Sequence, residues 1–133
     1  MAKKIPIATD AAPPSMGTHT QALRVGNLVF TTGLTGRDPK TGELADGLEA
    51  QTRQLLKNME AILNAAGCTP ADIVKVTFAM TTIDHFVPAD HVYSAWLPPR
   101  DVAPYPVRTA FVAAGLPAGA LILIDVIAIC PER

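Results

Sequence analysis

An excess of charge of one sign is missing from this sequence: 11 basic residues stand against 12 acidic ones, for a net charge of −1. No basic stripe is visible, and without one a nucleic-acid partner is not expected. Cysteine is scarce, with two in 133 residues. Cys68 and Cys130 make no disulfide framework and fit no zinc spacing, so they read as two reduced, buried thiols, and no metal site is expected. Long apolar runs are missing too. No stretch reaches the ~18–20 residues of a membrane helix, and Met1–Asp10 carries lysines with no apolar run behind them. Neither a membrane partner nor a signal peptide is expected, and the chain reads as cytoplasmic. There is no glycine-rich phosphate loop, because Gly33, Gly36, Gly42 and Gly47 lie outside any strand–turn–helix context.

What is present is apolar surface, at 49% of residues. That is more than one small core needs, and it points to burial against other copies of the chain. The length fits one domain over residues 1–133. Residues 1–18 read as irregular, broken by Pro13, Pro14 and Gly17. Gln21–Val25 and Leu28–Thr32 read as short strands joined by a tight turn at Gly26-Asn27. Gly33–Gly47 is a loop, with turn chemistry at Asp38–Gly42.

Leu48–Ala66 repeats apolar residues at three- and four-residue spacing, predicting an amphipathic helix stopped by Gly67. Thr69-Pro70 opens a single turn, and Ile73–Met80 reads as a strand. A second helix is expected over His85–Leu97, ended by Pro98 and Pro99. Val107–Val112 and Ala120–Ile129 complete the strands. The last is apolar at almost every position, as a strand covered on both faces would be. Two helices suffice for one face of such a sheet, and a second copy of the chain is the simplest cover for the other.

Two ionisable residues sit among the wrong neighbours. Arg108 begins the strand Val107–Val112, and Asp125 interrupts the most apolar stretch of the chain. A buried, unpaired charge costs several kcal/mol, so each wants a partner or a ligand. Arginine suits a carboxylate ligand, because its planar fork offers two parallel hydrogen bonds. The plainer alternative is that Arg108 and Asp125 pair with each other or with a neighbouring subunit. Of the three histidines, His85 and His91 read as surface positions. His19, in the irregular segment entering the first strand, is placed where it would act as acid or base near neutral pH. No Ser/His/Asp or Cys/His arrangement can be placed. The residues alone lead to a two-helix α/β oligomer with one suspicious arginine.

Taken in order, a series of short stretches resembles the Rid/YjgF/L-PSP (reactive intermediate deaminase) family from about Pro13 to Ile129. They are Gly17–Ala22, Val25–Gly33, Asp38–Glu43, Glu49–Gln54, Asn64–Gly67, Asp72–Thr77, Leu116-Pro117, Ile127-Ala128 and, most specific, Pro106-Val107-Arg108-Thr109. The resemblance implies a chorismate-mutase-like α/β fold: a mixed β-sheet with two helices on one face, three subunits forming a barrel, and clefts at their interfaces. It implies hydrolysis of a 2-imino acid to a 2-keto acid and ammonia, without cofactor, with Arg108 holding the substrate carboxylate. The substrate-binding set carried over is Arg108, Thr32, Gly33, Leu34, Ala110 and Leu123.

Departures from the family pattern are as informative. His19 stands where the family commonly has tyrosine, Thr32 for its serine, Leu34 for its glutamine and Ala110 for its cysteine. Leu123 replaces a glutamate thought to position or activate the water, and leucine moves no proton. His19 and Asp125 are the candidate catalytic replacements; Asp125 lies two residues beyond Leu123, on the same strand face. The altered pocket points away from the smallest imino acids, and a relative of the 2-aminomuconate deaminase type is one alternative. A second carboxylate would want a second cation, for which Arg37 and Arg100 are candidates. The other alternative is a non-catalytic trimer that binds a small acid. The family's older label, a ribonuclease, is disfavoured by the charge balance.

Overall fold

The computed structural model describes residues 3–131. Six strands form one sheet in the order β1-β2-β3-β6-β4-β5. They are β1 (Ile5–Ile7), β2 (Ala22–Val25), β3 (Leu28–Thr31), β4 (Ile73–Met80), β5 (Val107–Val112) and β6 (Ile122–Ile129). Helix α1 (Leu48–Ala65) links β3 to β4, and α2 (Phe86–Trp96) links β4 to β5. Strands β4 and β5 are parallel, as a helical crossover requires, while β6 runs antiparallel between β3 and β4. The two expected helices and the mixed sheet are present. One correction concerns residues 1–18: Ile5–Ile7 is a strand, held as an edge by pairing with β2. Three residues, the middle one a proline, carry too little pattern to read as a strand alone. Residues 1, 2, 132 and 133 of the expected single domain lie outside the described part.

Alternation in β6 orders the molecule. Ile122, Ile124, Val126 and Ala128 are buried. They meet the α1 residues Leu55, Met59, Ile62 and Leu63, all of them inaccessible. Each such side chain contributes about 1.5–3 kcal/mol of burial free energy. Leu123, Asp125 and Ile127 point to the opposite face, where Phe30, Val107, Phe111 and Ile129 stay exposed. So within one chain β6 is covered on one side only, by the two helices, as the sequence reading expected of a single copy.

Helix α1 ends as expected: Gly67 adopts φ 83°, and Cys68 N–H donates to the Leu63 carbonyl at 2.8 Å. That stop delivers Cys68 to the end of β6, where it forms a disulfide with Cys130, their Cα atoms 5.4 Å apart. The expectation of two separate reduced thiols is thereby corrected. Sequence spacing cannot reveal a pairing that the helix stop and the strand end create in space. Among the described residues, no helix is long and apolar enough to cross a membrane.

Candidate functional site

The loop from Gly33 to Gly47 is fastened from below. Asn58, wholly buried on α1, donates through its amide to the Thr35 carbonyl at 3.3 Å and the Arg37 carbonyl at 2.8 Å. Gly36 lies so close to the helix that a Cβ there would be 2.3 Å from the Gln51 carbonyl oxygen. Gln51 in turn accepts from Leu121 N–H through its side chain, tying the loop's helix to the entry of β6. The segment carrying His19 is pinned by Gln21, whose amide nitrogen donates to the Thr9 carbonyl at 3.0 Å and the Pro13 carbonyl at 2.8 Å. The result is a small cavity that includes Pro13, His19, Thr32, Gly33, Leu34 and Arg37 in its lining. His19 is exposed there, while Leu34 is 5% exposed and packs into the core. Leu123 closes in from β6: a Cβ on Gly33 would be 2.7 Å from its Cδ2.

Arg108 is elsewhere. It pairs in register with Val76 of β4, whose side chain is buried beneath the helices. Its side chain therefore lies on the helix side of the edge strand β5, as does that of Ala110, opposite Phe78. The guanidinium carbon stands 4.7 Å above the Phe86 ring and 5.7 Å from that of Phe78. One nitrogen, Nη1, donates to Asp90 of α2 at 2.5 Å. Phe86, Asp90, Tyr93 and Leu97 recur at helical spacing, so α2 turns all of them toward β5. Asp90, Tyr93 and Leu97, with Ser94, Arg100, Tyr105 and Pro106, line a cavity of about 310 Å³ beside Arg108. Arg100 lies 4.6 Å over the Tyr105 ring. Burial raises the Tyr93 phenol above its ordinary pKa; Arg108 works against that shift and Asp90 with it. Its hydroxyl has no hydrogen-bond partner among the described residues.

The structure thus corrects the notion that Arg108 and Asp125 pair. Asp125 is opposite Thr77, one residue along from the Val76 that faces Arg108, so the two lie on opposite faces of the sheet. Asp125 makes no ion pair among the described residues. Arg108 and His19 also line different cavities within one chain. Strands β3 and β5 are three inter-strand spacings apart, about 14 Å. The expected residues fall into one group around Gly33, namely His19, Thr32, Leu34 and Leu123, and a second with Arg108 and Ala110. Arg37 belongs to the first group's cavity, Arg100 to the second. His91 is on the surface, but His85 is half-buried with its Nδ1 enclosed.

Sequence reasoning missed Asp90 and Tyr93. The available signal was Asp90 itself, a charge on the otherwise apolar stripe of Phe86, Ala89, Tyr93 and Leu97. A possible metal cluster of Cys68, Asp72 and Cys130 has its ligand atoms within 4.8 Å of one another. Its two sulfurs are already joined to each other, so it does not offer two thiolates.

The Endoribonuclease L-PSP family model matches residues 9–130. The 2-iminobutanoate/2-iminopropanoate deaminase of Salmonella typhimurium is 37% identical over 123 residues, covering 92% of this chain and 95% of that protein. The chloroplastic Reactive Intermediate Deaminase A of Arabidopsis thaliana is 37% identical over 127 residues, 95% of this chain; the match spans 66% of that longer protein. Among solved structures, RidA from an Antarctic Psychrobacter superimposes with a TM-score of 0.87 at 40% identity, covering 92% of this chain and 97% of its own. Escherichia coli TdcF with bound serine does so with a TM-score of 0.88 at 35% identity, over 97% of this chain and 100% of its own.

Proposed function

This chain belongs to the endoribonuclease L-PSP family, the Rid/YjgF group, and from that premise we propose that it hydrolyses imine or enamine groups on small carboxylic acids. The observation that carries this reading is Arg108, held over an aromatic ring at the rim of a cavity with its guanidinium partly open to solvent. Relatives named as 2-iminobutanoate/2-iminopropanoate deaminases support the reaction class. The bound serine of TdcF shows a relative holding a small amino acid.

In the proposed reaction, water adds to the C=N carbon and a proton goes to nitrogen. The C–N bond then breaks, leaving a keto acid and ammonia. Arg108 holds the carboxylate, each charge-assisted hydrogen bond contributing about 1.5–3 kcal/mol. A protonated imine is already electrophilic, so the protein mainly orients it, admits one water and manages one proton. His19 is the group we assign to that proton. Thr32 and the Gly33 backbone border the same cavity, Ala110 flanks Arg108, and Leu123 shapes the wall without taking part in proton transfer. Asp125 points away from Arg108, and any part it plays is toward the open sheet face.

The two groups of residues do not meet within one chain, and the open sheet face is rich in exposed apolar side chains, Phe30, Phe111 and Ile129 among them. We therefore propose a homotrimer in which sheet faces pack together and Arg108 of one subunit completes the His19 cleft of the next. Two further readings each have one observation behind them. Arg100 beside Arg108 favours a dicarboxylate such as 2-aminomuconate. Leu123, which moves no proton, favours a trimeric carrier of small acids.

The test is ammonia release from 2-iminobutanoate, generated in situ, and from 2-aminomuconate. Wild type is compared with Arg108→Ala and His19→Phe, alongside the solution mass relative to the 14.0 kDa chain. Turnover that falls at least about tenfold in both variants, the worth of one charge-assisted bond, supports the deaminase. Absence of turnover with acids still bound through Arg108 supports the carrier.

A further inference from the structure

An arginine that recognises a carboxylate works best with its whole fork available, and here part of it is already taken. Arg108 donates from Nη1 to Asp90, in a pair whose side chains are 34% and 37% exposed. The contact is single rather than bidentate, and both partners line the cavity that a ligand would enter. Asp90 is therefore a resident carboxylate at the place where a ligand carboxylate is to be held.

A purely supporting residue at this point would not need a negative charge. The Arg108 guanidinium already rests on the Phe86 ring, and an amide of the same shape would accept the same hydrogen bond. What the charge adds is repulsion of an incoming anion. Arg100 is the other cation of the lining, and it makes no ion pair among the described residues.

Building on the carboxylate-clamp reading above, we propose that Asp90 is a specificity-determining residue of the clamp. It lowers affinity for simple monocarboxylates and leaves the ligand carboxylate only the part of the Arg108 fork not turned to α2. Ligands that add a second anionic or hydrogen-bonding group within reach of Arg100 regain what Asp90 removes. Simple keto acids do not.

The experiment is calorimetric titration of the assembled protein with 2-oxobutanoate and with 2-oxoglutarate, for wild type, Asp90→Asn, Asp90→Ser and Arg108→Ala. Asp90→Asn keeps the hydrogen bond and removes only the repelling charge, and is expected to bind 2-oxobutanoate about tenfold more tightly. 2-Oxoglutarate, repelled by the same carboxylate, should tighten as well. In turnover the gain appears in KM, with kcat unchanged. Asp90→Ser tests the same sign without the amide. Unchanged or weaker binding of 2-oxobutanoate in both Asp90 variants overturns the proposal and leaves Asp90 as a mere support for Arg108. If Arg108→Ala binds both acids as wild type does, the clamp reading itself fails, whatever the Asp90 variants do.

Discussion

Two glycines in one loop, three residues apart, should respond to the same added methyl in different ways. At Gly36, a Cβ would lie 2.3 Å from the Gln51 carbonyl oxygen and 2.5 Å from its Cα. Those are helix backbone atoms, and they cannot rotate aside. The loop would have to lift off α1, straining the Asn58 hydrogen bonds to the carbonyls of Thr35 and Arg37 on either side. Overpacking costs about 1–3 kcal/mol, and each bond lost adds about 0.5–1.5 kcal/mol. Gly36→Ala should therefore cost about 3 kcal/mol or more. That corresponds to a fall in Tm of about 10 °C for a chain of 133 residues.

At Gly33 the added Cβ meets only the end of a side chain, Leu123 Cδ2 at 2.7 Å. A change of rotamer relieves it for about 0.5–1.5 kcal/mol. Because the obstacle is one named side chain, the cost should vanish in a Leu123→Ala background, giving a coupling energy of about 1 kcal/mol. Chemical denaturation of Gly36→Ala, Gly33→Ala, Leu123→Ala and the Gly33/Leu123 double variant measures all of this. Gly36→Ala as stable as wild type, or additivity at Gly33 and Leu123, would refute the packing argument.

Other consequences are as direct. Asn58→Ala leaves the Thr35 and Arg37 carbonyls without their buried donor and should cost about 2–4 kcal/mol by denaturant titration. The disulfide spans 62 residues of sequence. The double variant Cys68→Ser/Cys130→Ser should lose up to about 4 kcal/mol, and thiol titration of the oxidised wild-type protein should find no free cysteine until a reductant is added. Burial raises the Tyr93 pKa above its ordinary value of 10.0, with Arg108 opposing and Asp90 reinforcing the shift. Its contribution to stability is therefore full below pH 10 and is lost as pH rises toward the folded-state value. Alkaline denaturation followed by phenolate absorbance should show that loss in wild type and not in Tyr93→Phe. Asp38 has its carboxyl held below the ordinary value of 3.8 by the backbone N–H groups of Lys40 and Thr41. A carbon-detected NMR titration should find it ionised to lower pH than in a peptide.

How much of the molecule was legible in advance depended on range. Helix α1, its stop at Gly67, the strands Ile73–Met80 and Val107–Val112 and the hairpin at Gly26-Asn27 follow from local pattern, and the structure has them at those places. Periodicity, capping and turn chemistry act over a few residues, so the sequence carries them by itself. The suspicion attached to Arg108 was legible for a similar reason, as a charge where its neighbours call for burial. Its partner was not, because Asp90 is 18 residues away and reaches it only after α2 crosses back over the sheet. Nor was the separation of Arg108 from Asp125 readable from composition. Which face a side chain takes depends on strand register, and a one-residue offset between β4's two neighbours reverses the answer. The bond between Cys68 and Cys130, and the gathering of His19, Thr32 and Gly33 beneath Leu123, have the same origin: contacts between segments distant in the chain are decided by topology, and only the folded sheet sets that.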